Sequence, residues 1–155
     1  MQRTTEERSL SVIAYVLALG GVLWTGLEVM ATGITPIILY VAGVPCAAIV
    51  AVYWNRSRFV VAHGLHALTL LVIVRVAAAV PGVLLTLNLI STDAVQINQY
   101  RVTPSFRIGG AIFLFVVLPL AFMAWHSLTE ASGGYFFRWP LLNWYKAKFV
   151  PEDRL

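Results

Sequence analysis

The stretch that decides the fold is residues 59–90, FVVAHGLHALTLLVIVRVAAAVPGVLLTLNLI, in which Arg75 is the only formal charge. Crossing the roughly 30 Å hydrocarbon core of a bilayer takes about 20 largely apolar helical residues. This run exceeds that length, and Pro81-Gly82 is the natural place for it to divide, because proline lacks an N–H and its ring crowds the preceding turn. The reading is a third transmembrane helix over 59–80, kinked at Pro81, with 83–90 leaving the membrane obliquely or lying near its interface.

Working outward, three further runs have the same character. The first, 10–30, follows a mixed-charge start containing Arg3, Glu6, Glu7 and Arg8, and it outlasts the 7 to 15 apolar residues of a signal peptide, so it reads as a retained helix. Ala31-Thr32-Gly33 interrupts it. Thr35-Pro36 is a helix-start signal, a capping hydroxyl before a proline whose missing N–H is harmless at the first helical position, and a second helix over 36–54 follows. Asn55-Arg56-Ser57-Arg58 is a basic turn into the third run. Ser91 to Arg107 is the one substantial polar loop, and 109–128 makes a fourth span, bent near Pro119. No internal repeat is evident.

Composition agrees, since 59% of the 155 residues are apolar and 12% charged, leaving too little polar surface for a water-soluble domain. The expected fold is therefore an all-α polytopic membrane protein, a single membrane domain of four transmembrane helices with a C-terminal interfacial segment over 135–149. The net charge of +4 would suggest nucleic acid in a soluble chain, but here the basic residues flank apolar runs, and no nucleic-acid site is read. Cys46 is the one cysteine and lies inside an apolar run, which excludes an intrachain disulfide.

Arg3, Arg8, Arg56, Arg58, Arg138, Lys146, Lys148 and Arg154 fall on one side of a four-span arrangement, and Arg101 and Arg107 on the other. The positive-inside rule then puts both termini in the cytoplasm, with the chain integral to a bacterial plasma membrane or an organelle inner membrane. Trp54, Trp125, Tyr135, Trp139, Trp144 and Tyr145 cluster toward that same face as an aromatic belt. Beyond residue 135, Arg138, Trp139, Trp144, Lys146 and Lys148 suit the headgroup layer, either as an interfacial anchor to membrane lipid or as a docking surface for a soluble partner.

Within the spans, the ionisable residues are the functional candidates. Glu28 and Arg75 lie about 18 and 16 residues from the cytoplasmic starts of their helices, so at 1.5 Å per residue both sit toward the outer leaflet, where they can pair, line a polar pathway or meet a partner. His63, His66 and His126 fall in the cytoplasmic half and raise haem or a chlorophyll-type pigment as cofactors. On a helical wheel His63 and His66 lie about 60° apart while His66 and Arg75 are opposed, so the set does not share one cavity, and local hydrogen bonding is the plainer role. Gly43, Ala47 and Ala51 form a stripe of small residues that either packs inside the bundle or makes a seam for another subunit. No HExxH, phosphate-cradling glycine loop or carboxylate pair at catalytic spacing is present, and the chain does not read as an enzyme.

Two segments resemble a known family. Phe59 to Leu68, with His63 at its centre, is similar to the F-V-x-x-H-x-x-Q-A-L signature of the Tic-twenty-like superfamily. Ala131, Gly134, Phe137, Arg138, Trp139, Pro140 and Leu141 resemble its closing A-x-x-G-x-x-Y-R-Y-P-L element. His66 stands where the pattern has Gln, Trp139 where it has Tyr, and Arg75 belongs to no part of it. The family comprises a small chloroplast inner-envelope translocon subunit and bacterial relatives, and the similarity covers about residues 35–142. It implies a four-helix subunit, in plants associated with protein import. The functional expectation is a non-catalytic membrane subunit associating with other integral membrane subunits of a larger complex, translocon-like or accessory. A pigment- or haem-binding subunit and an oligomeric channel or transporter, the latter lined by Glu28, Arg75 or Asn88, are the alternatives. The argument for a partner is that so small a bundle has little interior, so that Arg75 and His66 need a neighbouring subunit to shield both.

Overall fold

The protein is described from a computed structural model, in which residues 4–30, 39–87, 95–97, 100–102 and 104–136 are defined. These residues are helical apart from one small hairpin and short turns such as 54–57 and 133–136. Helix α1 (Thr5–Met30) begins at a reciprocal cap: the Glu7 N–H donates to Thr4 Oγ1 and the Thr4 N–H to the Glu7 carboxylate. Two of the N–H groups that a helix start leaves over are satisfied in this way, and Glu6 and Glu7 lie at the positive end of the helix dipole.

A π-helical turn, Leu39–Gly43, runs into α2 (Val44–Tyr53), with Pro45 in its first turn. After the turn 54–56, the Ser57 hydroxyl accepts from the Val60 N–H and caps α3 (Arg58–Thr86). α3 does not divide at Pro81: the proline lies inside the helix, which continues to Thr86. The polar loop holds the hairpin, β1 (Val95–Ile97) antiparallel to β2 (Tyr100–Val102) with Gln96 opposite Arg101. The last helix starts earlier than residue 109, as α4 (Pro104–Ile112), then passes through a second π-helical turn, Phe113–Val117, into α5 (Leu118–Ser132) with Pro119 in its first turn.

Three helices are long and apolar enough to cross a membrane, Thr5–Val29, Arg58–Pro81 and Arg107–Ser132, and Tyr40–Tyr53 is a shorter apolar helix. α1 packs against both α3 and α5, while α2 lies to the side against α3 and, less extensively, α1. The core runs along these seams through Ala14, Ala18, Val22, Leu70, Leu71 and Val74. Large apolar side chains such as Leu27, Val76, Phe115 and Phe122 point outward, as on a lipid-facing surface.

Close helix approach is set by glycines. A Cβ on Gly64 of α3 would lie 2.5 Å from Val50 Cγ2 of α2, one on Gly26 of α1 2.7 Å from Val117 Cγ1, and one on Gly109 of α4 2.8 Å from the Val29 carbonyl. The stripe named from sequence plays no such part within the chain. Nothing would meet a Cβ at Gly43, and Ala47 and Ala51 are exposed, because α2 and the turn before it bury the face of Ala42, Cys46 and Val50 instead.

Candidate functional site

Two polar sites lie along α1, at Tyr15 and at Glu28, about 20 Å apart at 1.5 Å per residue. In the first, Tyr15 Oη lies 2.7 Å from His66 Nδ1 and 3.0 Å from His63 Nδ1, and all three side chains are completely buried. The remaining ring nitrogen of His63, Nε2, is 3.1 Å from the Tyr135 carbonyl.

That carbonyl fixes the direction of every proton. A carbonyl only accepts, so His63 donates through Nε2–H, and neutral His63 then presents a bare Nδ1. Tyr15 has one proton and gives it to that Nδ1, leaving its oxygen to accept from His66 Nδ1–H. The network thus runs from His66 through Tyr15 to His63 and out to the backbone beyond α5. Ser127 of α5 is also fully buried; its hydroxyl stands beside that of Tyr15, on which it acts as a side-chain hydrogen-bonding neighbour, and its Oγ meets no other polar partner among the described residues.

The acceptor is delivered by the way α5 ends. Gly134, at φ +78°, lets the Tyr135 N–H return to the Glu130 carbonyl and its own N–H to that of Ala131, the paired closure of a left-handed helix cap. This turn aims the Tyr135 carbonyl at α3. Phe136 follows, its ring stacked on His63 at 6.0 Å and edge-on to Phe59 at 5.3 Å. The segments 59–68 and 131–136, both part of the family resemblance, therefore meet at His63.

In the second site Arg75 Nη1 is 2.8 Å from Glu28 Oε2, with the two side chains 8% and 9% exposed. Trp24, one turn before Glu28, donates its indole N–H to Oε1 at 2.8 Å. The expected need for a neighbouring subunit to shield Arg75 and His66 is overturned here. Both are buried by this chain's own helices, Arg75 against Glu28 and His66 against Tyr15, because the arginine stem is long enough to turn toward α1 from a face opposed to His66.

His126 joins neither site. Its side chain is 47% exposed, 3.7 Å from Glu130, and lines a shallow recess of about 260 Å³ with Thr129, Glu130 and Tyr135. Among the described residues no group of three His, Cys, Asp or Glu side chains is placed to hold a metal ion. His63, with both ring nitrogens engaged, offers no lone pair for axial ligation of haem or a pigment. Arg138, Trp139, Trp144, Lys146 and Lys148 lie outside the described residues.

Sequence reasoning passed over Tyr15, the centre of the first site, and the contacts that join α1 to the α2–α3 turn, where Tyr53 donates to Glu6 and Ser57 to Glu7. The Thr4-x-x-Glu7 spacing was a legible cap signal. Tyr15 announces itself only as a phenol in an apolar run, a group that requires a partner once buried. No family model, no curated protein and no solved structure matches the chain.

Proposed function

We propose that this chain is a non-catalytic integral membrane subunit with four spans, α2 and its preceding turn supplying the fourth, and with both termini on the cytoplasmic side. Its role is association with other integral membrane proteins in a larger complex, translocon-like or accessory. The carrying observation is the outer face of α2. Ala47 and Ala51 point away from the bundle, and small residues in lipid let a neighbouring helix approach closely where bulky ones hold it off. The basic flanks support the orientation, and the resemblance at 59–68 and 131–142 supports the family role.

The test is purification in mild detergent of the wild type and of Ala47→Leu/Ala51→Leu. The wild type is expected in a complex of defined composition that the double variant loses, with thermal stability unchanged. A monodisperse single chain without partners, or an identical complex from both proteins, would count against the proposal. Single cysteines near Thr4 and in the β1–β2 hairpin must label from opposite sides of sealed vesicles, and labelling from the same side would overturn the topology.

A further inference from the structure

The fully buried Tyr15 network contains one acceptor more than its ground state uses. With His63 neutral, the Tyr15 proton points at His63 Nδ1, and the acceptor lone pairs of Ser127 Oγ, beside the Tyr15 hydroxyl on α5, are taken by no other polar group among the described residues. If a proton arrives at His63 Nδ1, that nitrogen becomes a donor and Tyr15 must turn its O–H away. Ser127 Oγ is the group placed to receive it. The Tyr15 oxygen can then accept from both imidazoles, and every bond of the ring is remade rather than lost.

We propose that Tyr15, His63, His66 and Ser127 form a buried proton-binding site that acts as a latch: proton uptake by His63 re-aims Tyr15 onto Ser127 and tightens the hold of His63 on the segment after α5. The reaction is a single proton transfer from water at the cytoplasmic face to Nδ1, and no other bond is made or broken. The tightening follows from charge, because an imidazolium donates a stronger hydrogen bond to the Tyr135 carbonyl than a neutral ring does. Among the described residues, the groups facing His63 come from three helices. From α1 come Tyr15 and, against the Gly134 turn, the Arg8 guanidinium, with Glu7 lower down on Ser57; from α3 comes His66. From α5 come Ser127 and the Glu130 carboxylate, which acts on Tyr15, with His126 beyond it at 3.7 Å. What the latch grips is the turn that closes α5, through the Tyr135 carbonyl.

This inference does not depend on the partner proposed above, and its test needs none. The intact chain, isotope-labelled at histidine and tyrosine and placed in lipid nanodiscs, is followed by imidazole nitrogen and tyrosine ring resonances from pH 8 to about pH 4, with His66→Gln and His126→Gln giving assignments. His63 is expected to titrate, with the Tyr15 ring resonances moving at the same midpoint. Ser127→Ala is expected to lower that midpoint by about one unit, a tenfold weakening that matches loss of one hydrogen bond. Ser127→Thr, which keeps the hydroxyl, is expected to hold it. Spin labels at Ser9 and Tyr135 are expected to give a narrower distance distribution below the midpoint than above it. A His63 that stays neutral throughout, or a midpoint indifferent to Ser127→Ala, would overturn the proposal, whereas loss of a partner complex would bear only on the subunit role.

Discussion

Replacing Glu28 with Gln changes almost no volume and leaves an oxygen for the Trp24 indole, yet it removes the counter-charge 2.8 Å from a guanidinium that is 8% exposed. At an effective dielectric of 20 the attraction at that distance is about 6 kcal/mol, much of it offset by the desolvation of both ions. Breaking such a pair from one side costs about 3–5 kcal/mol, because the remaining charge stays buried. For a chain of this size that corresponds to a fall of roughly 10 °C in melting temperature. Arg75→Gln should fall less, since a carboxylate can neutralise itself by taking up a proton and a guanidinium cannot release one. The double variant Glu28→Gln/Arg75→Gln should recover most of the loss. The assay is built into the protein: Cys46, the one cysteine, is fully buried, so a dye that fluoresces on reacting with thiols reports unfolding in detergent. Melting curves in which the double variant falls as far as the sum of the singles, or in which Glu28→Gln melts with the wild type, would refute the reasoning.

The same dye tests three more statements. Gly109→Ala should lower stability by about 1–3 kcal/mol, since its Cβ would press on the Val29 carbonyl, whereas Gly20→Ala, facing open space, should be neutral or slightly stabilising. Gly134→Ala should cost about 1–2 kcal/mol for its left-handed backbone and push on Arg8, while shifting the His63 resonances through the displaced Tyr135 carbonyl. Thr4→Ala should cost about 1 kcal/mol and increase amide exchange in the first turn of α1 without altering the Glu28–Arg75 pair.

How much of this was legible in the sequence follows from what each feature depends on. Apolar length sets where helices can cross, and counting residues from a helix start gives depth, which put Glu28 and Arg75 at one level. Neither count says which faces meet. The wheel angle set His66 and Arg75 apart but left open that α1 serves both, through residues 13 positions distant. The stripe at Gly43, Ala47 and Ala51 was visible as a pattern, but whether it faces in or out depends on Cys46 and Val50 packing against α1 and Gly64, a property of three helices together. Pro81 shows the same limit: a proline removes one helical hydrogen bond, and a helix enclosed by its neighbours runs on regardless.

The two wide turns, Leu39–Gly43 and Phe113–Val117, each stand just ahead of a proline, Pro45 and Pro119. A π-helical turn loosens the ladder where the proline ring needs room. In the proposed orientation both lie nearer the outer leaflet, on helices that flank the enclosed α1–α3 pair, while the cytoplasmic half is cross-tied through Glu6, Glu7, Tyr15 and His63. Stiffness is thus distributed unevenly along the bilayer normal. Bending strain from thickness mismatch or a docking neighbour will gather at the two outer turns, and the inner half will move as one block.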